Sequence, residues 1–285
     1  MADNPITRFV RFLAEGRAAY GVLDGETVHE LEGSLFDDPP RRAGRSHALA
    51  DVELLVPLAP EHVTKVIGVT TNHDTPGERQ PIPHPRWFAK LATSLNPHEG
   101  DVELPPGANN LNYEGELVVI IGKPGRHVSV EDAPGYVFGV SVGNDWSENT
   151  WYGERQGIEE PARLPAKGLD TWACLGPAIV TGLDYGDLAM EIRLNGEVVA
   201  EGRTRNMRNN VARLVSYLSS YATLERGDII YTGTVRPPSL PGARRAMQDG
   251  DVVEVEIEQV GLLRNRIVAT DAGPMTWPDL YGRGG

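Results

Sequence analysis

Cysteine is almost absent from this chain, because Cys174 is the only one among its 285 residues. An intramolecular disulfide is therefore excluded, which favours a reducing, cytoplasmic compartment. Cys174 lies between apolar neighbours in the segment TWACLGP. This setting predicts a buried and unreactive thiol rather than a redox or catalytic cysteine.

The chain also lacks long apolar runs and an excess of positive charge. No segment approaches the roughly 20 apolar residues of a membrane-spanning helix. The N-terminal MADNPITRFVRF has no apolar stretch of the length that a signal peptide needs. Lysine and arginine number 27 against 40 aspartates and glutamates, which gives a formal net charge of −13. Because this charge repels phosphate groups, we expect neither nucleic acid nor a membrane as a partner.

Turn-forming residues are abundant, with 32 glycines and 22 prolines. Together with many short apolar runs they predict an α+β fold in which strands dominate. RFVRF, AAYGVLDG and TVHELEG indicate three short strands near the N-terminus, and the polar DDPPRRAGRSH after them is typical of a linker or surface loop. We therefore predict a small N-terminal β domain with a linker over residues 1–60, followed by a larger domain over residues 61–285.

Two local patterns predict structure in the larger domain. Asn195-Gly196 lies between apolar runs and predicts a tight hairpin. A helix is predicted to begin after Asn209 or Asn210, either of which could cap it. Its apolar residues then recur at helical spacing, at Val211, Leu214, Val215 and Leu218.

Glu114 and Glu116 are the first candidate functional residues. Residues two apart on a strand point to the same face, and Val118 and Ile120 continue that face with apolar side chains. Two ionised carboxylates on a mostly buried face repel each other and lose hydration, which a divalent cation would compensate. In the segment VVEVEIEQ, by contrast, the glutamates occupy one face and the apolar residues the other, which predicts a solvated face.

Asp145 ends the apolar segment YVFGVSVGND and could supply a third oxygen ligand. A set of three carboxylates without a soft ligand favours Mg²⁺, Mn²⁺ or Ca²⁺ over Zn²⁺ or Cu²⁺. Such an ion would keep coordination sites for water and substrate and would polarise a chelating carbonyl. Lys167 is a candidate cation for the same site, although an exposed lysine is the simpler interpretation from sequence alone.

A rival motif is present in Gly139-Val140-Ser141-Val142-Gly143, which matches the G-x-S-x-G nucleophile elbow. That elbow requires a strand, a tight turn and a helix, with the catalytic histidine later in the chain. All seven histidines precede Ser141, and the following NDWSENTW is not apolar at helical spacing. We therefore interpret Ser141 as an ordinary strand residue.

Several motifs follow one another in a fixed order over most of the chain, from about Leu55 to Val268. They include F-x-K-x-x-x-S-L within WFAKLATSL, Y-E-x-E-L within NYEGEL, and N-D-x-S at Asn144–Ser147. They continue with K-x-x-D-T at Lys167–Thr171, then G-P at Gly176-Pro177, N-G-E at Asn195–Glu197 and GDIIYTGT at Gly227–Thr234. Together these motifs resemble the fumarylacetoacetate hydrolase family. RFVRFLAEGRAAYGVLDG is also similar to the small β domain that precedes many members of that family.

The resemblance implies a fumarylacetoacetate hydrolase C-terminal-like fold, a mixed β-sandwich or roll, in a protein that often forms homodimers. It implies a magnesium or similar ion on Glu114, Glu116 and Asp145, with Lys167 stabilising enolate charge. Gly233, Thr234 and Lys90 would then contact the substrate. Substrates in the family are small oxo- or dioxo-carboxylates that can form an enol.

The segment after Val69 departs from the family pattern G-x-N-Y-x-x-H-x-x-E. Asn72 aligns with the asparagine, His73 takes the tyrosine position, and Glu78 is displaced by one residue. The proline-rich stretch 71–85 could be a lid that brings His73 or Glu78 to the substrate, or a surface loop on which His73 is exposed. We therefore expect an enzyme, most directly for C–C bond hydrolysis. An isomerase, tautomerase or decarboxylase and a non-catalytic metal-binding homologue are the alternatives.

Overall fold

The computed structural model describes residues 5–37, 39–73, 84–151, 163–235 and 245–273, and strands dominate these residues. The strands are β1 (Thr7–Ala14), β2 (Arg17–Asp24), β3 (Thr27–Glu32), β4 (Arg41–Ala48), β5 (Glu53–Leu55), β6 (Val66–Thr70), β7 (Arg86–Lys90), β8 (Leu95–Asn96), β9 (Asp101–Leu104), β10 (Leu111–Asn112), β11 (Gly115–Ile121), β12 (Val137–Asp145), β13 (Ser147–Glu148), β14 (Ala173–Thr181), β15 (Ala189–Leu194), β16 (Glu197–Arg203), β17 (Ile229–Tyr231), β18 (Val252–Ile257) and β19 (Gly261–Ala269). The α-helices are α1 (Leu164–Lys167) and α2 (Val211–Tyr221).

A large mixed sheet forms the centre of the fold, with strand order β4-β3-β2-β1-β14-β12-β11-β17-β6-β7. Strand β5 adds to β1, and β8 adds to β14 in parallel. Strands β11 and β12 lie in the middle of this sheet, antiparallel to each other, with Gly115 opposite Asn144. Both faces of β11 are buried, because every one of its residues is buried.

A second sheet of five strands, in the order β16-β15-β18-β19-β9, packs against the large sheet. The main core joins Leu117 and Val119 of β11 to Ile192, Val255 and other buried residues of the small sheet, and α2 packs against the same core. A second core on the opposite face of the large sheet contains Val118 and Ile120. The α+β, β-dominated fold class predicted from the sequence is therefore confirmed.

The prediction of a linker or surface loop after the third strand is wrong in part. Residues 41–48 form strand β4, which pairs with β3 and ends the sheet. The error has a physical cause, since β4 is an edge strand on which no residue is fully buried, and it lacks the apolar alternation of a half-buried strand. Strands β1, β2 and β3 agree with the three predicted N-terminal strands.

Three local predictions are confirmed. Strands β15 and β16 form a hairpin around Asn195-Gly196, where both residues have positive φ. Asn210 caps α2, because its side chain accepts a hydrogen bond from the main-chain N–H of Arg213. Ser141 is a buried residue within β12, and its hydroxyl donates to the carbonyl of Ala178 over 2.8 Å. The segment around it is therefore a strand and not a nucleophile elbow.

The solvated face predicted for β18 is also present. Val253, Val255 and Ile257 are buried, while the glutamates between them face the opposite side. Glu256 forms an ion pair with Arg193 over 2.6 Å. Among the described residues, no helix has the length and apolar character that crossing a membrane requires.

Candidate metal centre

Glu114, Glu116 and Asp145 meet where β11 begins and β12 ends. Glu116 is the second residue of β11, Glu114 immediately precedes that strand, and Asp145 is the last residue of β12. The main-chain N–H of Asp145 donates to the carbonyl of Glu114 over 2.9 Å, which fixes the two segments side by side. One oxygen from each of the three carboxylates lies within 4.8 Å of the others.

Two buried lysines face these carboxylates. Lys167 Nζ, at the end of α1, lies 2.9 Å from Glu114 Oε2 and 2.8 Å from Asp145 Oδ2. It also donates to the main-chain carbonyl of Asp145 over 2.9 Å. Lys90 Nζ lies 2.7 Å from Asp145 Oδ1 and donates to the carbonyl of Lys167. The alternative that Lys167 is an exposed lysine is wrong, since its side chain is 2% exposed.

Burial and nearby charges together shift the pKa of each of the three carboxyl groups. It raises the pKa of Glu116 well above its ordinary value, and the charges of Asp145 and Glu114 add to this effect. Burial also raises the pKa of Glu114, against the opposing charge of Lys167. Burial opposes ionisation of Asp145 as well, but Lys167 and Lys90 together outweigh it, and its pKa is lowered. Of the three carboxyl groups, Glu116 is therefore the one whose burial is least offset by positive charge.

The residues present fit a divalent cation. Glu116 Oε2 accepts a hydrogen bond of 2.7 Å from the main-chain N–H of Gly233. Glu116 Oε1 is buried and has no hydrogen-bond partner within the described ranges. A buried carboxylate oxygen without a partner is costly, and a cation bound to it would remove that cost. Since the three candidate ligands all supply oxygen, a hard cation such as Mg²⁺, Mn²⁺ or Ca²⁺ suits them best.

The other predicted site residues have different surroundings. Thr234 is half-buried, and its hydroxyl donates to the carbonyl of Val235 over 3.2 Å. His73 is 2% exposed and forms an isolated β-bridge with Met207, so it is not an exposed loop residue. Glu78 and most of the stretch 71–85 lie outside the described residues, and the prediction of a lid is not tested there.

The sequence interpretation missed how Asn72 and Lys90 are used. Asn72 is buried and binds the backbone beside Gly233, whereas the sequence showed only that it aligned with a family asparagine. Lys90 contacts Asp145, and a substrate contact by Lys90 stays a prediction. For Asn72 the available signal was a polar residue at the end of the apolar segment VIGVTTN, whereas RWFAK offers no such signal for Lys90.

Two known families match this sequence. Residues 59–268 match the family described as Fumarylacetoacetate (FAA) hydrolase C-terminal, and residues 7–57 match one described as Rv2993c-like, N-terminal. The first match covers well over half of the chain and includes every residue of the site described above. The chain belongs to the fumarylacetoacetate hydrolase family.

Similar proteins carry the names of related enzymes. The human mitochondrial oxaloacetate tautomerase FAHD2A is 35% identical over 228 residues, which cover 77% of this chain and 70% of that protein. A 5-carboxymethyl-2-hydroxymuconate delta-isomerase structure from Mycobacterium smegmatis is 32% identical, with a TM-score of 0.81, and covers 92% of this chain and 100% of its own. A 2-hydroxyhepta-2,4-diene-1,7-dioate isomerase structure from Mycobacterium marinum is 33% identical, with a TM-score of 0.80, and covers 93% and 99%. This chain is therefore an enzyme of the fumarylacetoacetate hydrolase type.

Proposed function

We propose that this protein is a divalent-metal-dependent enzyme that acts on an enolisable oxo- or dioxo-carboxylate. The observation that carries the proposal is the cluster of Glu114, Glu116 and Asp145, in which Glu116 Oε1 is buried without a hydrogen-bond partner among the described residues. These three residues would hold the ion, and Mg²⁺ is the ion that we propose. Bound there, the ion would supply Lewis-acid polarisation of a chelating carbonyl and would stabilise enolate charge.

We propose that Lys167 stabilises charge in the reaction and that His73 is a candidate for proton transfer. The Lys167 ammonium already lies within 2.9 Å of two ligand carboxylates, so it can also stabilise negative charge that develops on substrate oxygen. We propose that His73, or Glu78 from the segment that follows it, removes a proton from the carbon next to the carbonyl and returns one to the product. Gly233, Thr234 and Lys90 stay proposed substrate contacts.

Keto–enol tautomerisation, or isomerisation of a dioxo or dienoic acid, is the reaction that we favour. The three relatives at 32–35% identity described above are named as a tautomerase and two isomerases. Both reactions need only proton transfers around an enolate, whereas hydrolysis also needs an activated water. C–C bond hydrolysis is the second candidate, because the family itself is named for a hydrolase.

Several further features belong to this proposal. We propose a small N-terminal domain at residues 1–60 and a catalytic domain at 61–285, which the matched ranges 7–57 and 59–268 support. We also propose a homodimer that acts in the cytoplasm, where the buried Cys174 would stay reduced.

The proposal is tested by metal binding and turnover measured on the same preparations. Protein stripped with EDTA is titrated with Mn²⁺ by electron paramagnetic resonance, and thermal unfolding is followed at the same time. At a free Mn²⁺ concentration 100 times the Kd we expect a stabilisation of about 2.7 kcal/mol. Glu116→Ala should neither bind Mn²⁺ nor be stabilised by it. Glu256→Ala, on the solvated face of β18, should do both.

Activity is then measured with oxaloacetate and with a 1,3-dioxo carboxylate. Loss of enol absorbance without any cleavage would support tautomerisation. Two carboxylic acids formed with uptake of water would support hydrolysis, and pyruvate with CO2 from oxaloacetate would support the decarboxylase alternative. Metal binding without turnover of either compound would count against both of them as substrates. Unchanged metal binding in Glu116→Ala would show that the ion binds elsewhere and that the proposal is wrong.

A further inference from the structure

Asn72 is a buried amide that uses its whole side chain to bind backbone. Its Nδ2 donates to the carbonyl of Asn209 over 2.9 Å and to the carbonyl of Thr232 over 2.8 Å. Its Oδ1 accepts from the main-chain N–H of Asn209 over 3.0 Å. Its own carbonyl accepts from the N–H of Arg208 over 2.7 Å. Asn72 therefore joins the end of β6 to the segment before α2 and to the segment after β17.

The peptide group between Thr232 and Gly233 connects Asn72 to Glu116. Its carbonyl oxygen accepts from Asn72 Nδ2, and its N–H donates to Glu116 Oε2 over 2.7 Å. Because a peptide group is planar, fixing the direction of the carbonyl also fixes the direction of the N–H. A carbonyl that accepts a hydrogen bond also polarises its own N–H, which strengthens the second bond.

Close packing gives the connection little freedom to move. Gly233 has a φ of +102°, and a Cβ atom added there would lie 2.7 Å from the Cβ of Asn72. Thr232 is held from the other side, since its hydroxyl donates to the carbonyl of Leu117 over 2.8 Å. The carbonyl of this peptide has one side-chain donor, Asn72, among the hydrogen bonds described for it.

We infer that Asn72 is a positioning residue that orients Glu116 as a metal ligand through the Thr232–Gly233 peptide. The hydrogen bond to Oε2 fixes the orientation of the carboxylate and leaves Oε1, which has no hydrogen-bond partner in the described part of the chain, available to a cation. Since Asn72 directly precedes His73, the same side chain also fixes the start of the segment that carries the proposed proton-transfer group. The inference rests on the proposed metal site, and groups that orient a ligand contribute about 10- to 100-fold to metal affinity.

The test compares Asn72→Ala with Asn265→Ala. Asn265 is a matched control, because it is also buried and its Nδ2 also donates to two backbone carbonyls, those of Pro97 and Gly100 over 2.9 and 2.8 Å. It lies on β19 in the five-stranded sheet, whereas the carboxylates lie on or beside β11 and β12 of the large sheet. The Mn²⁺ dissociation constant is measured by electron paramagnetic resonance well below the melting temperature of each variant. We expect Kd to rise at least tenfold in Asn72→Ala and to keep its wild-type value in Asn265→Ala.

Asn72→Asp is the second variant, for use if Asn72→Ala does not fold. It keeps the shape of the side chain and the acceptor for Asn209 but removes the amide donor to Thr232. Wild-type affinity in a folded Asn72 variant would overturn the inference while leaving the metal site intact. Equal weakening in Asn265→Ala would also overturn it, because general loosening would then explain the effect. Absence of Mn²⁺ binding by the wild-type protein would overturn the proposed metal site and this inference together.

Discussion

The main-chain N–H of Gly233 and the carboxylate of Glu116 form a 2.7 Å hydrogen bond that gives the two carboxylate oxygens different surroundings. Oε2 is satisfied by the protein, whereas Oε1 is buried without a hydrogen-bond partner in the described part of the chain. A carboxylate arranged in this way can offer one oxygen to a cation without losing its orientation. The environment of Gly233 should therefore affect both folding and metal binding.

Replacement of Gly233 by alanine should be costly. The φ of +102° is unfavourable for an L-residue, and the new Cβ would lie 2.7 Å from the Cβ of Asn72. We expect Gly233→Ala to lose about 3 kcal/mol of unfolding free energy, measured by urea denaturation without metal. Gly250→Ala is the control, because Gly250 has a φ of +84° with no other atom within 4 Å of the added Cβ. It should lose only about 1 kcal/mol, and equal losses in the two variants would show that contact with Asn72 is unimportant.

Removal of the Lys167 charge should affect stability and turnover differently when metal is present. Lys167→Met leaves Glu114 and Asp145 without an ammonium group that lies within 2.9 Å of both. Without metal we expect a loss of about 3 kcal/mol in unfolding free energy, and less in saturating Mn²⁺, since the ion neutralises the same carboxylates. Turnover should fall roughly 100-fold even in saturating Mn²⁺.

Lys123→Met provides the comparison for Lys167→Met. Lys123 is exposed and its ammonium lies 4.4 Å from the centre of the Tyr136 ring. We expect this variant to keep its activity and to change the unfolding free energy by less than about 1 kcal/mol. If Lys167→Met kept full activity as well, the lysine would have no part in the reaction.

Glu30 should make the stability of the N-terminal strands depend on acid pH. Its carboxylate is 2% exposed, lies 2.8 Å from the Arg17 guanidinium, and is also hydrogen-bonded by Arg45. The bonds from Arg45, against the effect of burial and with the help of Arg17, lower the pKa of Glu30 to about 2 from 4.5. Because the folded-state pKa is depressed, the stabilisation is present above about 4.5 and is lost as the pH falls towards about 2.

This dependence is measured as the difference between wild type and Glu30→Gln. In metal-free protein at pH 7 we expect the variant to be about 2 kcal/mol less stable to urea. The expected loss is not larger because both arginines are more than half exposed, and water screens their charges. Between pH 4.5 and pH 3 the difference should shrink. A difference that stayed constant over that range would mean that the ionised carboxylate is not what stabilises these strands.

Cys174 should be chemically silent in the folded protein. Its thiol is fully buried, and burial raises its pKa to about 12 although Trp146 and Asn96 donate towards the sulfur. We expect no reaction with a disulfide reagent at pH 8 in the native state, and one equivalent after denaturation with guanidinium. Rapid labelling of the native protein would contradict this prediction.

The carboxylate site could be predicted from sequence because its residues interrupt apolar patterns. Glu116 is the second residue of a strand that is otherwise apolar, and Asp145 ends a strand that is mostly apolar, and such positions have few structural explanations besides a site. The hairpin at Asn195-Gly196 and the cap at Asn210 were predictable because each depends on residues that are neighbours in the chain.

The remaining features depend on partners that are distant in the sequence. Lys90 and Lys167 are buried only because both meet Asp145, and no local pattern distinguishes such lysines from exposed ones. Strand β4 exists because β3 offers it an edge, since its own sequence, RRAGRSHA, has no apolar face. The role of Asn72 needed the position of Thr232, a residue 160 positions later in the chain.

The pairing of β1 with β14 determines when the central sheet can close during synthesis. Thr7 lies opposite Thr181, so β1 is made 174 residues before the strand that pairs with it there. At the usual 5–20 residues per second this interval lasts roughly 10–35 s. During that time β2 and β5 can pair with β1, but the edge that β14 will occupy stays open. The nascent chain therefore passes through a stage in which an unpaired strand edge can pair with other chains.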